Sequence, residues 1–570
     1  MKRGILGGII IRMLDAPQND LKDKIAKLRR DGEERAAERL AGKLGLSYVD
    51  LAKVPVSLDA VRILTENEAK DAKVAAIELK SNKVALAAIN PELPATKHVV
   101  QELSDKKYEV KVVVISPSSM EAAWHFYQFV KPEVGNITGK VQITQERLDA
   151  LRAKLITIDA VHKEIAALPL ANVSPVALIE IILAGAMGLR ASDIHTEAEE
   201  KKAKIRFRID GLLHDMFDEI PLDTYHTFVS RIKLLSEMKL NVRDAAQDGR
   251  FTIGLGSKDI EMRVSVIPAE FGETIVMRIL DPSATMVTLP QLGLRADNLE
   301  LVKKKISQPN GLILNTGPTG SGKTTTLYAF LRTMNDPTMK IITLEDPIEY
   351  RIDGVEQTQI DEEAGYTFGN GLRAIVRQDP DVILVGEVRD LETADIAMEA
   401  ALTGHLVLST LHTNDAVGAV PRLINLGVKA VSIGPALSLV IAQRLVRVLC
   451  KDCKKEAPLD AATTEKVVKL LASLPAKVDK KAYDGYKVYG PVGCEKCNGI
   501  GYKGRVGVFE FLEGGGDLEK TILHEASEVA LREVAQRQEM VTMQQDGILK
   551  VLEGKTTLDE VVGATGDLVW

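Results

Sequence analysis

Gly311-Leu312-Ile313-Leu314-Asn315-Thr316-Gly317-Pro318-Thr319-Gly320-Ser321-Gly322-Lys323-Thr324 is an apolar run that enters a glycine-rich turn and leaves it as the helical stretch Thr325-Thr326-Leu327-Tyr328-Ala329-Phe330. The spacing from Gly317 to Thr324 is G-x-x-x-x-G-K-[ST], a P-loop. A turn that aims successive backbone N–H groups at one anion needs residues with no side chain in the way, and Gly317, Gly320 and Gly322 supply them. The helix that starts near Gly322 turns its positive end toward the phosphates. Lys323 carries the charge for the β- and γ-phosphates, and the Thr324 hydroxyl suits Mg²⁺. ATP and Mg²⁺ are thus the expected ligands, with Gly317, Pro318, Thr319, Gly320, Ser321, Gly322, Lys323, Thr324 and Thr325 as the nucleotide-binding stretch. The competing reading is a chance glycine-rich turn, and the strand before it and helix after it argue against that.

Working outward, Lys340-Ile341-Ile342-Thr343-Leu344 leads into Glu345-Asp346-Pro347-Ile348-Glu349-Tyr350, and Asp381-Val382-Ile383-Leu384-Val385-Gly386 leads into Glu387. Ligands of open parallel sheets gather at the carboxyl ends of strands, so both acidic clusters are expected beside the phosphates. The first suits a general base and the second a residue that holds Mg²⁺ through its water shell. Gly386 stands where many P-loop enzymes place an aspartate, which makes this Walker B segment atypical. A third run, Gly404 to Thr413, is bracketed by His405 and His412. A seven-residue step turns two side chains of a regular strand to opposite faces. Both can be phosphate sensors only if the strand ends before His412, which Thr413-Asn414-Asp415 suggests, and the strand-end position favours His412. A packed imidazole is the ordinary reading of either histidine.

At 570 residues the chain is expected to form about three or four domains. A composition 45% hydrophobic and 27% charged is that of an ordinary globular protein, and a net charge of −7 argues against a general nucleic-acid coat. No apolar run is long enough to cross a membrane. Met1-Lys2-Arg3 and the apolar Gly4 to Ile11 imitate a secretory leader, but Arg12 interrupts the apolar part, Asp15 follows, and no small-residue cleavage site is evident; export is not expected.

From the amino end, Leu21 to Leu46 reads as a charged helix, Lys73 to Leu79 and Lys83 to Ile89 as two strands joined at Ser81-Asn82, Glu109 to Ile115 as a third strand, and Ser118 to Val130 as a closing helix. This small α/β module has no catalytic signature; partner docking and plain packing remain equal readings of it. Pro132 to Lys140 reads as a linker. Helical sequence runs from Arg147 to Leu168, and another helix begins with Ser174 as cap and Pro175 at its first position. Strands Ala203 to Ile209 and Leu212 to Phe217 flank the turn Asp210-Gly211, a helix covers Tyr225 to Met238, and two strands cover Asp259 to Ile267 and Gly272 to Leu280. Arg250, Arg263 and Arg278 lie on or beside these strands, where surface salt bridges are the common role. Val506 to Trp570 reads as mostly helical and without chemistry.

The four cysteines are Cys450-x-x-Cys453 and Cys494-x-x-Cys497. Two such knuckles complete a closed tetrahedral S₄ site for Zn²⁺, a structural rather than catalytic arrangement, although about 40 residues is a long gap between knuckles.

Together these segments resemble the secretion ATPase superfamily, and within it the type IV pilus extension motors and type II secretion motors, the PilB- and GspE-like proteins. The residues that carry the resemblance are Ala191-Ser192-Asp193-Ile194-His195, Phe207-Arg208-Ile209-Asp210-Gly211, Gln247-Asp248-Gly249-Arg250, the P-loop, Ile342 to Glu349, Arg377-Gln378-Asp379-Pro380-Asp381 through Asp390, and Thr403 to Thr413. The match runs from about Asn172 to Leu512. It implies a RecA-like P-loop ATPase domain at 286–570 carrying the zinc knuckle, a preceding PAS-like α+β domain at 171–285, a helical linker at 136–170 and an accessory α/β domain at 1–135. It further implies a homohexamer that hydrolyses ATP at subunit boundaries, with Glu349 as catalytic glutamate, Glu387 as Walker B acid, His412 near the γ-phosphate, and Arg263 and Arg278 reaching a neighbour's nucleotide. The four-cysteine knuckle and accessory domain resemble extension and secretion motors rather than simple retraction motors. By the same resemblance the protein is cytoplasmic and peripheral at the inner membrane, working with an inner-membrane platform protein and a cytoplasmic adaptor and not with nucleic acid. Whether the polymer is a pilus or a secretion pseudopilus stays open. Relatives that bind cyclic di-GMP carry an Arg-Leu-Gly start and a leucine-patterned repeat; Met1 to Leu51 has neither, which counts against that ligand. The alternatives from other classes are a nucleic-acid translocase and a nucleotide-gated scaffold without turnover.

Overall fold

The computed structural model describes residues 18–51, 54, 56–80, 82–129, 140–141, 145–170, 173–255, 258–281 and 287–568. The imitation leader and all of the expected linker but Lys140 lie outside the described residues. Two units divide near residue 280.

In the first unit, a four-stranded sheet has the order β1-β4-β3-β2, with β1 Ser47–Tyr48, β2 Val74–Lys80, β3 Lys83–Ala88 and β4 Glu109–Val114. β2 and β3 form the expected hairpin; β4 pairs parallel to β3 through the helix Pro94–Asp105. The helix read from Leu21 spans Gln18–Leu44, and the closing helix ends at His125, followed by a 3₁₀ turn over Phe126–Phe129.

The second sheet of this unit has the order β5-β9-β10-β11-β6-β7-β8, with β5 Lys140–Val141, β6 Asp193–Ala198, β7 Lys202–Ile209, β8 Leu212–Pro221, β9 Gln247–Leu255, β10 Lys258–Ala269 and β11 Gly272–Leu280. β7 shows why it forms: Ala203, Ile205, Phe207 and Ile209 are buried, while Lys202, Lys204, Arg206 and Arg208 face away from the core. Period-two alternation is the signature of a sheet covered on one face. The helix Pro175–Gly188 supplies that cover, its Leu178, Ile182 and Leu183 joining the strands' core.

Two expectations are corrected here. The single helical run from Arg147 to Leu168 is two helices, Gln145–Lys154 and Ile158–Ala166, because the Thr157 hydroxyl accepts the Ala160 N–H at 3.1 Å and starts a new helix. Ser174 occupies the cap position before Pro175, but its side chain makes no capping bond.

The second unit is built on the sheet β14-β13-β15-β16-β12-β17-β20, with β12 Gly311–Thr316, β13 Ile341–Glu345, β14 Glu356–Gln359, β15 Val382–Val385, β16 Leu406–Leu411, β17 Leu437–Leu449 and β20 Tyr502–Glu513. All its neighbours pair parallel except β17 and β20. Every residue of β12, β13, β15 and β16 is buried, as expected of strands covered by helices on both faces. Burying one such leucine or isoleucine contributes about 1.5–3 kcal/mol, so these runs fix the register. A two-stranded ribbon, β18 Lys455–Glu456 with β19 Tyr489–Gly490, lies between the knuckles.

The carboxyl-terminal stretch differs from expectation. Val506 to Glu513 continues β20 antiparallel to β17, and only after it do four helices follow. Val508, Phe509, Phe511 and Leu512 are aromatic or branched and buried, a strand's composition that closes one edge of the sheet. Among the described residues no helix is long and apolar enough to cross a membrane.

Candidate active site

β12 runs out between β16 and β17 into the loop 317–322, and the helix Lys323–Met334 begins immediately after Gly322, whose φ of 90° admits a glycine most readily. The cradle is tight. A Cβ on Gly317 would stand 2.5 Å from the Gln443 carbonyl and 2.7 Å from the Ser321 hydroxyl; one on Gly322 would stand 2.8 Å from the Gln443 side-chain nitrogen. Pro318, Thr319 and Gly320 are exposed at the tip, and Thr324 and Thr325 stand half-buried in the helix's first turn. Ser321 is only 4% exposed, and its Oγ has no hydrogen-bond partner among the described residues. An orphaned hydroxyl inside a glycine cradle fits a phosphate, since buried polar atoms ordinarily find partners. Lys323 donates from Nζ to the Gly317 and Pro318 carbonyls at 2.8 and 3.1 Å. Burial pushes its pKa down and Arg444 adds to this, while Glu387 opposes it.

Glu387 and His412 follow β15 and β16, adjacent strands, and the structure brings them together: His412 Nε2 lies 3.6 Å from Glu387 Oε2. Arg389 pairs with the same carboxylate and lies 4.0 Å from Asp346. Burial lowers the His412 pKa, reinforced by Lys323 and countered by Glu387. The His412 loop is anchored to the P-loop strand, because Thr316 Oγ1 accepts the Thr413 N–H at 2.8 Å. A cavity of about 170 Å³ opens between Gly317, Pro318, His412, Thr413 and Asn414. His405 stands at the opposite end of β16, its Nδ1 3.0 Å from the Ala400 carbonyl.

The acidic cluster after β13 divides in two. Glu345, 3% exposed, bonds to Tyr328, to Thr343 at 2.6 Å and to Gln357 at 3.2 Å, and burial raises its pKa. It is sealed into the fold, which corrects the expectation that it stands open beside the phosphates. Glu349 lies half-buried on the following loop, its backbone N–H on the Tyr328 hydroxyl. β15 and β16 separate β13 from the P-loop strand.

Three residues were missed. Gln443, buried in β17, accepts at Oε1 from Asn315 (3.0 Å) and Thr326 (2.8 Å), so one amide ties the P-loop's strand to its helix. Arg444 Nη2 donates to the Asn414 carbonyl at 2.9 Å, beside the cavity. Glu510, buried in β20, accepts the Ala416 and Met543 N–H groups at 2.7 and 3.1 Å and holds the segment after His412. A polar pair inside the apolar run Leu437 to Leu449 was the one available signal.

In the first unit, Arg263 stands opposite Arg250 in the β9–β10 register, and Arg278 opposite Asp193, which stands opposite Arg208. Arg278 donates to Asp193 at 3.0 Å, and Arg263 lies 3.7 Å from Glu261. All occupy the face turned from the core.

The cysteine sulfurs lie within 4.8 Å of one another, with Cys450–Cys494 at 3.9 Å, Cys453–Cys497 at 3.7 Å and Cys494–Cys497 at 3.7 Å. A tetrahedral ion with bonds of about 2.3 Å requires sulfur separations of about 3.8 Å. The set therefore fits Zn²⁺. Burial raises the Cys453 pKa to about 11; at Cys497 burial is overcome by N–H groups of Cys494 and Gly501, giving about 7.

A phosphate cradle at the carboxyl edge of a parallel sheet, with an acid and an imidazole facing its lysine, makes the second unit a P-loop nucleotide hydrolase. Comparison with known proteins agrees. The family described as Type II/IV secretion system protein matches residues 171–563, and the MshEN domain matches residues 44–128. The Type IV pilus assembly ATPase PilB of Myxococcus xanthus is 36% identical over 536 residues, 94% of this chain and 91% of that protein. The Type II secretion system ATPase E of Vibrio cholerae is 45% identical over 388 residues, 68% of this chain and 75% of that protein. The X-ray structure of the ATPase DotB of Legionella pneumophila shares the fold over 68% of this chain and 95% of its own, with a TM-score of 0.50 and 22% identity. The chain belongs to the Type II/IV secretion system protein family. It is an ATP hydrolase.

Proposed function

We propose that this chain is the hexameric motor that hydrolyses ATP to drive type IV pilus assembly. The observation that carries the chemistry is the meeting of Lys323, Glu387 and His412 around a cradle with an orphaned Ser321 hydroxyl. The choice of pilus over pseudopilus is supported by the pilus-assembly relative, which matches 94% of the chain against 68% for the secretion relative; assembly of a type II secretion pseudopilus is the second reading.

In this reading Lys323 and the loop amides from Gly317 to Thr325 hold the β- and γ-phosphates. Glu349 orients the attacking water and takes its proton, and His412 reports on the γ-phosphate. Thr324 and Glu387 would hold Mg²⁺, which supplies charge neutralisation at the phosphates. Arg263 and Arg278 of a neighbouring subunit stabilise charge as the bond to the γ-phosphate breaks, which is why turnover requires assembly. The domains are RecA-like at 286–570, PAS-like at 171–285, helical linker at 136–170 and accessory at 1–135. Zn²⁺ on Cys450, Cys453, Cys494 and Cys497 closes the long excursion between β17 and β20. The motor works from the cytoplasm against a platform protein of the inner membrane and an adaptor.

Two experiments test this. Purified oligomer turns over ATP, and Glu349→Gln lowers the rate by about 10²–10⁴-fold with ATP binding kept; equal, negligible rates in both would leave a nucleotide-gated scaffold. Loss of surface pili with secreted enzymes unaffected, after gene deletion, is the expected phenotype, and the reverse result selects the secretion motor.

A further inference from the structure

The segment Gln247-Asp248-Gly249-Arg250 and the loop before it hold the first unit together in a way that ATP chemistry does not require. Between the helix Leu222–Leu235 and β9 the chain turns sharply, and side chains of the sheet domain fix the turn. Gln247 accepts the Lys239 N–H at 2.9 Å and donates to the Lys239 and Val242 carbonyls at 3.0 and 2.9 Å. Lys233, 1% exposed, donates from Nζ to the Val242 carbonyl and to Glu273, both at 2.6 Å. A Cβ on Gly249 would stand 2.3 Å from the Ser236 carbonyl, so a glycine is needed for the helix end to lie on β9.

The middle of that turn belongs to the other module. Leu240 is buried in the core of the four-stranded sheet's domain, with Leu234 packed against it. Asn241 donates from Nδ2 to the Leu51 carbonyl at 2.8 Å and to the Val54 carbonyl, and its Oδ1 accepts the Val56 N–H at 3.3 Å. An asparagine has two donors and one acceptor oxygen, and here all of them engage one short segment, which fixes orientation as well as distance. At the sheet end of the same device, Arg250 follows Gly249 and stands opposite Arg263.

We propose that Leu240 and Asn241 form a lock through which the amino-terminal module positions the arginine-bearing strands, so that strain applied to the module is delivered to Arg263. Asn241 is on this account a positioning residue. The effect on turnover rests on the motor reading above; the lock itself rests on the Asn241 hydrogen bonds and the burial of Leu240.

The test compares wild-type full-length oligomer with Asn241→Ala by hydrogen–deuterium exchange and by steady-state ATP turnover. Expected are faster exchange at the Val56 amide, unchanged protection of Val74–Lys80 and Lys83–Ala88, an unchanged KM for ATP, and a kcat lower by up to about 10²-fold, the cost of misplacing a reacting group by about 1 Å. Faster exchange at the Val56 amide with wild-type kcat would overturn the proposal, as would unchanged exchange there. If exchange rises throughout 74–88, the module has unfolded, and Asn241→Asp, which keeps the acceptor for Val56 and loses both donors, decides by the same readouts. A wild-type oligomer without ATP turnover would refute the motor reading while leaving the exchange comparison intact, so the two failures are distinguishable.

Discussion

The two seven-stranded sheets of this chain carry charge in opposite ways. In the P-loop sheet the central strands are buried on both faces, so polar residues gather where strands stop, and Lys323, Glu387 and His412 all stand just past a strand's carboxyl end. In the other sheet one face is covered, and Arg208, Arg250, Arg263 and Arg278 stand in mid-strand on the open face. The first arrangement brings an acid, an imidazole and a lysine of one chain together. The second sets cations beside carboxylates of the same face, Arg278 on Asp193 and Arg263 near Glu261.

The sharpest way to break that contrast is to separate the two sheets genetically. Arg278→Ala in the assembled protein lowers turnover by about 10³–10⁵-fold with ATP binding kept, as loss of a trans arginine does. Mixing Arg278→Ala subunits with Lys323→Ala subunits then restores up to about a quarter of the wild-type rate, because in a closed ring roughly one junction in four unites an intact P-loop with an intact arginine. A mixture that stays inactive shows the arginine acting in its own subunit, and wild-type turnover by Arg278→Ala removes it from the chemistry.

Within the P-loop sheet, the next largest effect belongs to the metal. Cys494→Ser, or chelation, removes a ligand set that closes the chain between β17 and β20, and a lost metal site lies in the range above about 4 kcal/mol. At a few degrees per kcal/mol this lowers Tm by about 10 °C; calorimetry on metal-loaded and stripped protein measures it, and equal melting would make the knuckle ornamental to stability. Gln443→Leu comes third. It removes the acceptor shared by the Asn315 amide and the Thr326 hydroxyl in a buried slot and leaves the amide only a long 3.5 Å bond to the Lys323 carbonyl, costing about 2–6 kcal/mol at 1–3 kcal/mol for each group. A fall in the denaturant midpoint with an unchanged slope is the expected result.

The same contrast explains what could be read from the sequence. The P-loop, Glu387, His412 and the cysteine knuckles stand out because their meaning lies in spacing over a few residues or in the end of an apolar run. Gln443 carries no such mark, since its partner Asn315 lies 128 positions away, and Asn241 reaches Leu51 across 190. Glu345 and Glu349 look alike in sequence, and only the fold around Tyr328 shows that the first is sealed in. Thr157 begins a new helix by capping Ala160, a local hydrogen bond that a reading by apolar period alone passes over. β20 was lost because a long helical tail follows directly on its aromatic run.

The smallest effect concerns His412 and tests whether the P-loop sheet senses charge as well as binding it. Burial and Lys323 hold its pKa below the ordinary 6.5 of the free imidazole. A group that binds its proton more weakly when folded leaves stability untouched above about pH 6.5 and withdraws it as pH falls through that value, because the unfolded chain then takes up the proton first. Phosphate anions beside the ring act the other way and raise its pKa. ATP binding at about pH 6 therefore draws a fraction of a proton from the buffer, and binding at pH 8 draws none through this residue. Titration calorimetry in two buffers of different ionisation enthalpy measures that uptake, and His412→Asn abolishes it. An uptake that survives the substitution would assign the sensed charge to another group and leave His412 as an exposed side chain at the end of β16.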